Sequence, residues 1–138
     1  MRLVFDTNVL VSALLLADSV PRQAFDRGRK QGRILISWAT LAELHEVLGR
    51  HQFRKYVDEE DVRRFLAALT READWVEITA HIAACRDPKD NKFLEVASSG
   101  RATHIITGDA DLLSLSPFQG IPILSAQRFL DLTLAPGP

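Results

Sequence analysis

Short apolar runs alternate along this chain with longer stretches of helical period, and that alternation narrows the fold more than any other feature. Leu3-Val4-Phe5, Ile34-Leu35-Ile36, Trp75-Val76-Glu77-Ile78, His104-Ile105-Ile106-Thr107 and Ile121-Pro122-Ile123-Leu124 are strand-length segments, the Trp75 run reading as an edge. Between them, apolar residues recur at three- and four-residue spacing, the period of a helix with one buried face. Leu41, Leu44, Val47 and Leu48 make one such stripe, ended by Gly49; Val62, Phe65, Leu66 and Leu69 make another behind a capping Asp58. Asn8 to Leu16 reads as a buried helix, and Pro21 suits the first turn of the next one, closed by Gly32. Asp87-Pro88 opens a helix carrying Phe93, Leu94, Val96 and Ala97 that stops at Gly100, and Ser125 can cap a last helix. Strand–helix alternation of this kind specifies an α/β fold with a central parallel sheet.

The 138 residues fit one domain, residues 1–134, followed by a short flexible tail at 135–138. Hydrophobic residues make up 46% and charged residues 25%, which excludes a disordered chain and a membrane protein. Seventeen Lys and Arg against eighteen Asp and Glu give a net charge of −1, which excludes a basic nucleic-acid coat. A single cysteine, Cys85, leaves no intramolecular disulfide and no multi-cysteine metal site. Asp6 comes too early for the apolar core of a signal peptide, and no apolar run reaches the ~20 residues that span a bilayer. The expectation is a soluble, cytoplasmic protein.

Function is written in the position of the acids. Asp6 directly follows the first strand, and Asp109 follows the His104 strand with only Gly108 between it and Thr107. Ligand sites in open parallel sheets form outside the carboxyl ends of the strands, where strand order reverses. If those two strands are neighbours, Asp6 and Asp109 lie side by side; Glu43, Asp90 and Asp111 can reach the same edge from helix starts. Carboxylates crowded together repel, and either take up protons or require cations. Mg²⁺ and Mn²⁺ suit such oxygen ligands, and two ions about 3.5–4 Å apart would clamp the attacking and leaving oxygens of a phosphodiester. A metal-bound water then serves as nucleophile, so the lack of a Ser–His–Asp or Cys–His arrangement is no obstacle.

Each acid also has a plainer reading. Asp6 and Asp109 can be helix caps. Thr40-Leu41-Ala42-Glu43 fits a capping box, in which Glu43 would reach back to the Thr40 N–H. The pair in Asp87-Pro88-Lys89-Asp90 divides, with Asp87 as the structural cap and Asp90 as the functional acid. Asp58-Glu59-Glu60-Asp61 is a solvated helix start. His45, His51, His81 and His104 show no zinc spacing, and Trp38 and Trp75 are assigned to the core or an interface rather than to base stacking. Arg22, Arg27, Arg29, Lys30 and Arg33, and then Arg50, Arg54 and Lys55, form a soluble face or a phosphate track.

Taken together, Asp6-Thr7-Asn8 after a strand, Glu43 on an early helix, Asp87-Pro88-Lys89-Asp90-Asn91-Lys92-Phe93 and Thr107-Gly108-Asp109-Ala110-Asp111 resemble the PIN-domain ribonucleases. Within that family the likeness is to the VapC-like toxin components of prokaryotic toxin–antitoxin pairs. The resemblance implies a parallel sheet of order 3-2-1-4-5 flanked by helices, and metal-ligating roles for Asp6, Glu43, Asp90 and Asp109 with Asp111 auxiliary. It implies that Asn8 and Thr107 hold the carboxylates in place. It further implies an Mg²⁺- or Mn²⁺-dependent endoribonuclease, an RNA substrate, a protein antitoxin and a homodimer. Two other functions compete. A haloacid-dehalogenase-like phosphatase also places an Asp after its first strand, but it needs a second Asp where Asn8 stands. A non-catalytic RNA- or protein-binding module of the same fold would show no turnover.

Overall fold

The computed structural model describes residues 1–50, 52 and 55–134. Its elements run β1 (Arg2–Phe5), α1 (Thr7–Leu15), α2 (Val20–Gln31), β2 (Arg33–Ile36), α3 (Trp38–Leu48), α4 (Glu59–Glu72), β3 (Asp74–Trp75), a 3₁₀ turn (Pro88–Asp90), α5 (Asn91–Ser99), β4 (His104–Ile106), α6 (Ala110–Leu113), β5 (Ile123–Leu124) and α7 (Ala126–Leu132). The strands form one sheet of order β3-β2-β1-β4-β5 in which every pair is parallel. The fold class and strand order are those expected from the sequence. Residues 135–138, assigned to a tail, and His51 and Arg54 lie outside the described residues.

Side chains alternate across a strand, so a sheet covered on both faces sorts its apolar residues into two cores. Leu3, Phe5, Ile34, Ile36 and Ile106 join one cluster with Leu10, Phe25, Leu44 and Phe129 from α1, α2, α3 and α7. Val4, Leu35, Ile105 and Ile123 join the other with Phe93, Leu94 and Val96 of α5 and Leu112 of α6. Gly28 lets α2 close on β1: a Cβ there would stand 2.8 Å from Leu3 Cδ1 and 3.2 Å from Phe5 Cζ.

Three expectations need correction. The Trp75 strand ends early. Val76 N–H still reaches the Ile36 carbonyl at 2.8 Å, but β2 stops at Ile36, so Glu77 and Ile78 have no ladder to join. The capping box belongs to Ser37 and Thr40, not to Thr40 and Glu43: the Thr40 N–H donates to Ser37 Oγ at 3.2 Å, and α3 begins before Thr40. Finally, neither tryptophan is in the core, since Trp38 is 78% exposed and Trp75 43%.

Most of the early cations serve the fold rather than a free surface. Arg29 pairs with Glu72 at 2.8 Å, and Arg2 with Asp74 at 3.0 Å. Arg33 also pairs with Asp74, and Arg27 donates to the Leu130 carbonyl at 2.7 Å. The Asp58–Asp61 run is a helix start: Asp58 accepts from the Glu60 N–H, and Glu59 and Glu60 pair with Arg63 and Arg64. Among the described residues no helix is long and apolar enough to cross a membrane.

Candidate active site

Strand order reverses between β1 and β4, and a cavity of about 620 Å³ opens at their carboxyl ends. Asp6, Glu43, Asp87, Asp90, Asp109 and Asp111 all line it. The segments that supply these acids lie far apart in the chain, and the topology alone brings them to one edge.

Asp6 leaves β1 with its N–H on the Ile106 carbonyl at 2.9 Å, which ties it to β4. It occupies the position before α1 but makes no capping hydrogen bond with its side chain. Its carboxylate instead accepts a 2.6 Å bond from the Thr107 hydroxyl. Thr107 is fully buried, and the same Oγ1 accepts the Asp109 N–H at 3.0 Å. One hydroxyl therefore fixes both strand ends relative to each other. Burial raises the Asp6 carboxyl above its ordinary value, and the neighbouring charges of Glu43 and Asp109 push the same way; the Thr107 hydroxyl and the Asn8 main-chain N–H pull it back.

Glu43, freed from capping, is held from two sides. Thr7 Oγ1 donates to its Oε2 at 2.5 Å, and Lys92 Nζ stands 3.2 Å from its Oε1. Both side chains of that ion pair are only 21% exposed. Asp90 ends the 3₁₀ turn without capping α5. Burial and the charges of Asp6, Asp109, Asp87 and Glu43 push its carboxyl up to about 6. That set of perturbing charges is the electrostatic signature of one shared site.

The other acids have mixed duties. Asp109 lines the cavity and also caps α6, accepting the Leu112 N–H at 3.4 Å. Asp111 is exposed on the same wall. Asp87 lines the cavity too, but its carboxylate accepts the Lys89 N–H at 3.0 Å, the cap expected from its place before Pro88. Asn8 is exposed at the rim and makes no side-chain hydrogen bond to the described residues; Thr7 beside it carries the contact to Glu43. Sequence reasoning missed Thr7 and Lys92, although both stand inside the motifs that drew attention. Arg50, with Glu46 at 3.8 Å, is a further cation at the cavity.

The donors suit a hard divalent cation: the cavity offers carboxylates and hydroxyls, with no histidine or thiol on its lining among the described residues. Among the described residues no three acidic, histidine or cysteine side chains close on one point as a ready-made cage. The fit is thus one of donor chemistry and a shared cavity. Cys85 is half-buried nearby, and burial with the charges of Asp90, Asp109 and Asp87 pushes its thiol up to about 11, so it stays protonated. His104 packs edge-on against Phe129 at 5.9 Å and takes no part in the cavity.

Comparison with known proteins agrees with this geometry. The PIN domain family model matches residues 2–111. The uncharacterized protein MJ1680 of Methanocaldococcus jannaschii is 31% identical over 118 residues, covering 83% of this chain and 74% of that protein. Two solved structures share the fold. VapBC2 from Rickettsia felis, bound to a DNA fragment from their promoter, matches with a TM-score of 0.60 and 16% identity over 89% of this chain and 97% of that one. PAE2754 from Pyrobaculum aerophilum matches with a TM-score of 0.61 and 18% identity over 97% and 90%. The reversal of strand order at β1 and β4, the acids gathered there and the family match over residues 2–111 lead to one assignment: the chain belongs to the PIN-domain family.

Proposed function

We propose that this PIN-domain protein is an Mg²⁺- or Mn²⁺-dependent endoribonuclease that hydrolyses RNA phosphodiester bonds, with Asp6, Glu43, Asp90 and Asp109 as the metal-binding acids. The observation that carries the reading is the convergence of these carboxylates on one cavity, with Asp6 and Asp90 both held above their ordinary values. When bound, a divalent cation supplies Lewis-acid stabilisation of the phosphoryl oxygens and an acidified water. The chain's own residues prepare the place. The Thr107 hydroxyl favours the charged form of Asp6 and aligns it with Asp109, while Thr7 and Lys92 hold Glu43 from opposite oxygens. Asp90, pushed up to about 6, can accept a proton at its oxygen near neutral pH. Asp111 is an auxiliary acid at the rim, and Asn8 a polar neighbour. The Arg50 guanidinium gives a phosphate backbone a cation to approach.

The toxin role, with a protein antitoxin as partner and a homodimer as assembly, rests on the motif resemblance, and the fold shared with VapBC2 supports it. Family membership and Asn8, which stands where a phospho-aspartyl enzyme needs its second acid, favour nuclease over phosphatase chemistry. Incubation with a labelled RNA and Mg²⁺ or Mn²⁺ should give cleavage that a chelator abolishes. Asp6→Asn should lose several orders of magnitude in rate while remaining folded. Metal-independent cleavage, or turnover of p-nitrophenyl phosphate in place of RNA, would contradict the proposal.

A further inference from the structure

The chain has two tryptophans, and the fold sets them against each other at the surface. Their ring centroids lie 4.9 Å apart with 50° between the planes. Burying an indole is among the largest hydrophobic gains a side chain can make, yet Trp38 remains 78% exposed and Trp75 43%. Trp75 is held in place: its Nε1 donates to the Thr70 carbonyl at 3.2 Å, and its main chain pairs with β2 at Ile36. Trp38 begins α3, the helix that carries Glu43.

Register places this pair on the edge where the cavity opens. Phe5 pairs with Ile106, and Ile36 with Trp75. Continuing the Leu3–Ile34 register puts Trp75, Ile36, Phe5 and Ile106 in one row across the sheet. The next residues after Phe5 and Ile106 are Asp6 and Thr107. β3 is two strands from β1, about 10 Å at the usual strand spacing. Along α3, Trp38 and Glu43 are separated by roughly 7.5 Å of helix rise and about 140° around its axis, so the pair stands beside the cavity rather than on its lining.

We propose that Trp38 and Trp75 are a stacking platform for a nucleobase of the single-stranded RNA whose backbone enters the acidic cavity, an inference that rests on the nuclease reading above. The surroundings favour a base over a protein partner. The other large exposed hydrophobics of the described residues, Leu16, Tyr56, Leu132 and Leu134, belong to neither α3 nor β3. One largely exposed indole leaning on a half-exposed one, without that aliphatic surround, falls far short of the ~800 Å² that each side of a stable protein interface buries. A planar base needs only the ring face, and such stacking tolerates any sequence. Arg50 at the cavity meets the phosphates of the same strand.

Because the chain has no other tryptophan, intrinsic indole emission reports on this platform alone. The experiment titrates the Asp90→Asn protein, chosen to keep the strand intact, with oligoadenylate in Mg²⁺, and in parallel with a ribose-phosphate chain of equal length that lacks bases. Calorimetry records binding of each. The expected result is quenching that saturates together with oligoadenylate binding and is absent with the abasic chain. In the otherwise unaltered protein, Trp38→Ala should raise KM for RNA about ten-fold, within the range for loss of one stacked base, and Trp38→Phe should recover most of it. RNA that binds without altering indole emission would overturn the platform and leave the nuclease reading standing. Emission that changes with protein concentration rather than with RNA would assign the pair to a protein interface, also overturning it. If neither chain binds and the unaltered protein leaves RNA intact, the platform and the nuclease reading fail together.

Discussion

Thr107→Val removes the hydroxyl on which the candidate site's geometry turns, while preserving side-chain shape. In the folded protein that oxygen donates to Asp6 at 2.6 Å and accepts the Asp109 N–H at 3.0 Å, in a position with no solvent to replace either bond. A hydrogen bond to a charged group contributes about 1.5–3 kcal/mol, and here a second polar group is orphaned as well. For a chain of this length that corresponds to a melting temperature lower by roughly 5–10 °C. The effect carries a pH signature. The Thr107 hydroxyl lowers the Asp6 pKa, so it favours the charged carboxylate. The loss should therefore be largest at pH 8 and shrink on acidification, as Asp6 takes up a proton and no longer depends on the donated bond. Thermal melts of the unaltered, Thr107→Val and Thr107→Ser proteins at pH 4, close to the ordinary carboxylate value above which Asp6 is shifted, and at pH 8 measure this directly, with Ser expected to restore most of the difference. Mn²⁺ affinity should fall about 10- to 100-fold in the Val variant, the usual cost of losing a residue that orients a ligand. A Val variant as stable as its parent at pH 8, or one equally weakened at both pH values, would refute the reasoning.

Other substitutions separate site from scaffold. Asp90 binds its proton more tightly in the folded chain, with a pKa of about 6 against an ordinary 3.8, so the metal-free protein should lose stability as pH rises between those values and stay at the lower level above them. Asp90→Asn should remove that dependence and raise the unfolding free energy in chelator at pH 8 by ~1 kcal/mol after allowance for solvent screening, while cleavage drops by orders of magnitude. Asp87→Ala should cost about 0.5–1 kcal/mol through the lost cap and keep most turnover, whereas Asp87→Asn, which can still accept the Lys89 N–H, should keep both stability and turnover, as denaturant melts and RNA assays can establish. Gly28→Ala should cost roughly 1–3 kcal/mol in urea unfolding by pressing a methyl against Leu3 and Phe5, with no direct effect on the cavity.

The fold was largely legible because its strands are short, apolar and closed by recognisable residues. The runs at Leu3, Ile34 and His104 became β1, β2 and β4 with ends within a residue of those expected. The misreadings trace to partners that lie far away in sequence. Nothing local in Trp75-Val76-Glu77-Ile78 reveals that β2 offers no ladder beyond Ile36. Thr40 and Glu43 satisfy the capping pattern, yet Ser37 three residues before Thr40 wins, and that competing signal was present in the sequence. The site was legible as a set of acids but not as a network. Thr7 and Lys92 meet Glu43 only after α1, α3 and α5 pack together, across 36 residues in the case of Thr7. Large apolar side chains usually are buried, which points an indole to the core or an interface; nothing local in the sequence reveals that Trp38 stays 78% exposed and Trp75 43%.

The central claim is that distant carboxylates form a single divalent-cation site, and a crystal soaked with Mn²⁺ tests it most directly by anomalous scattering. The account expects an anomalous peak in the cavity at the carboxyl ends of β1 and β4, with Asp6, Glu43, Asp90 and Asp109 oxygens directed at it. Manganese found only elsewhere, for instance on the Asp58–Asp61 helix start, with that cavity vacant at saturating concentration, would contradict it.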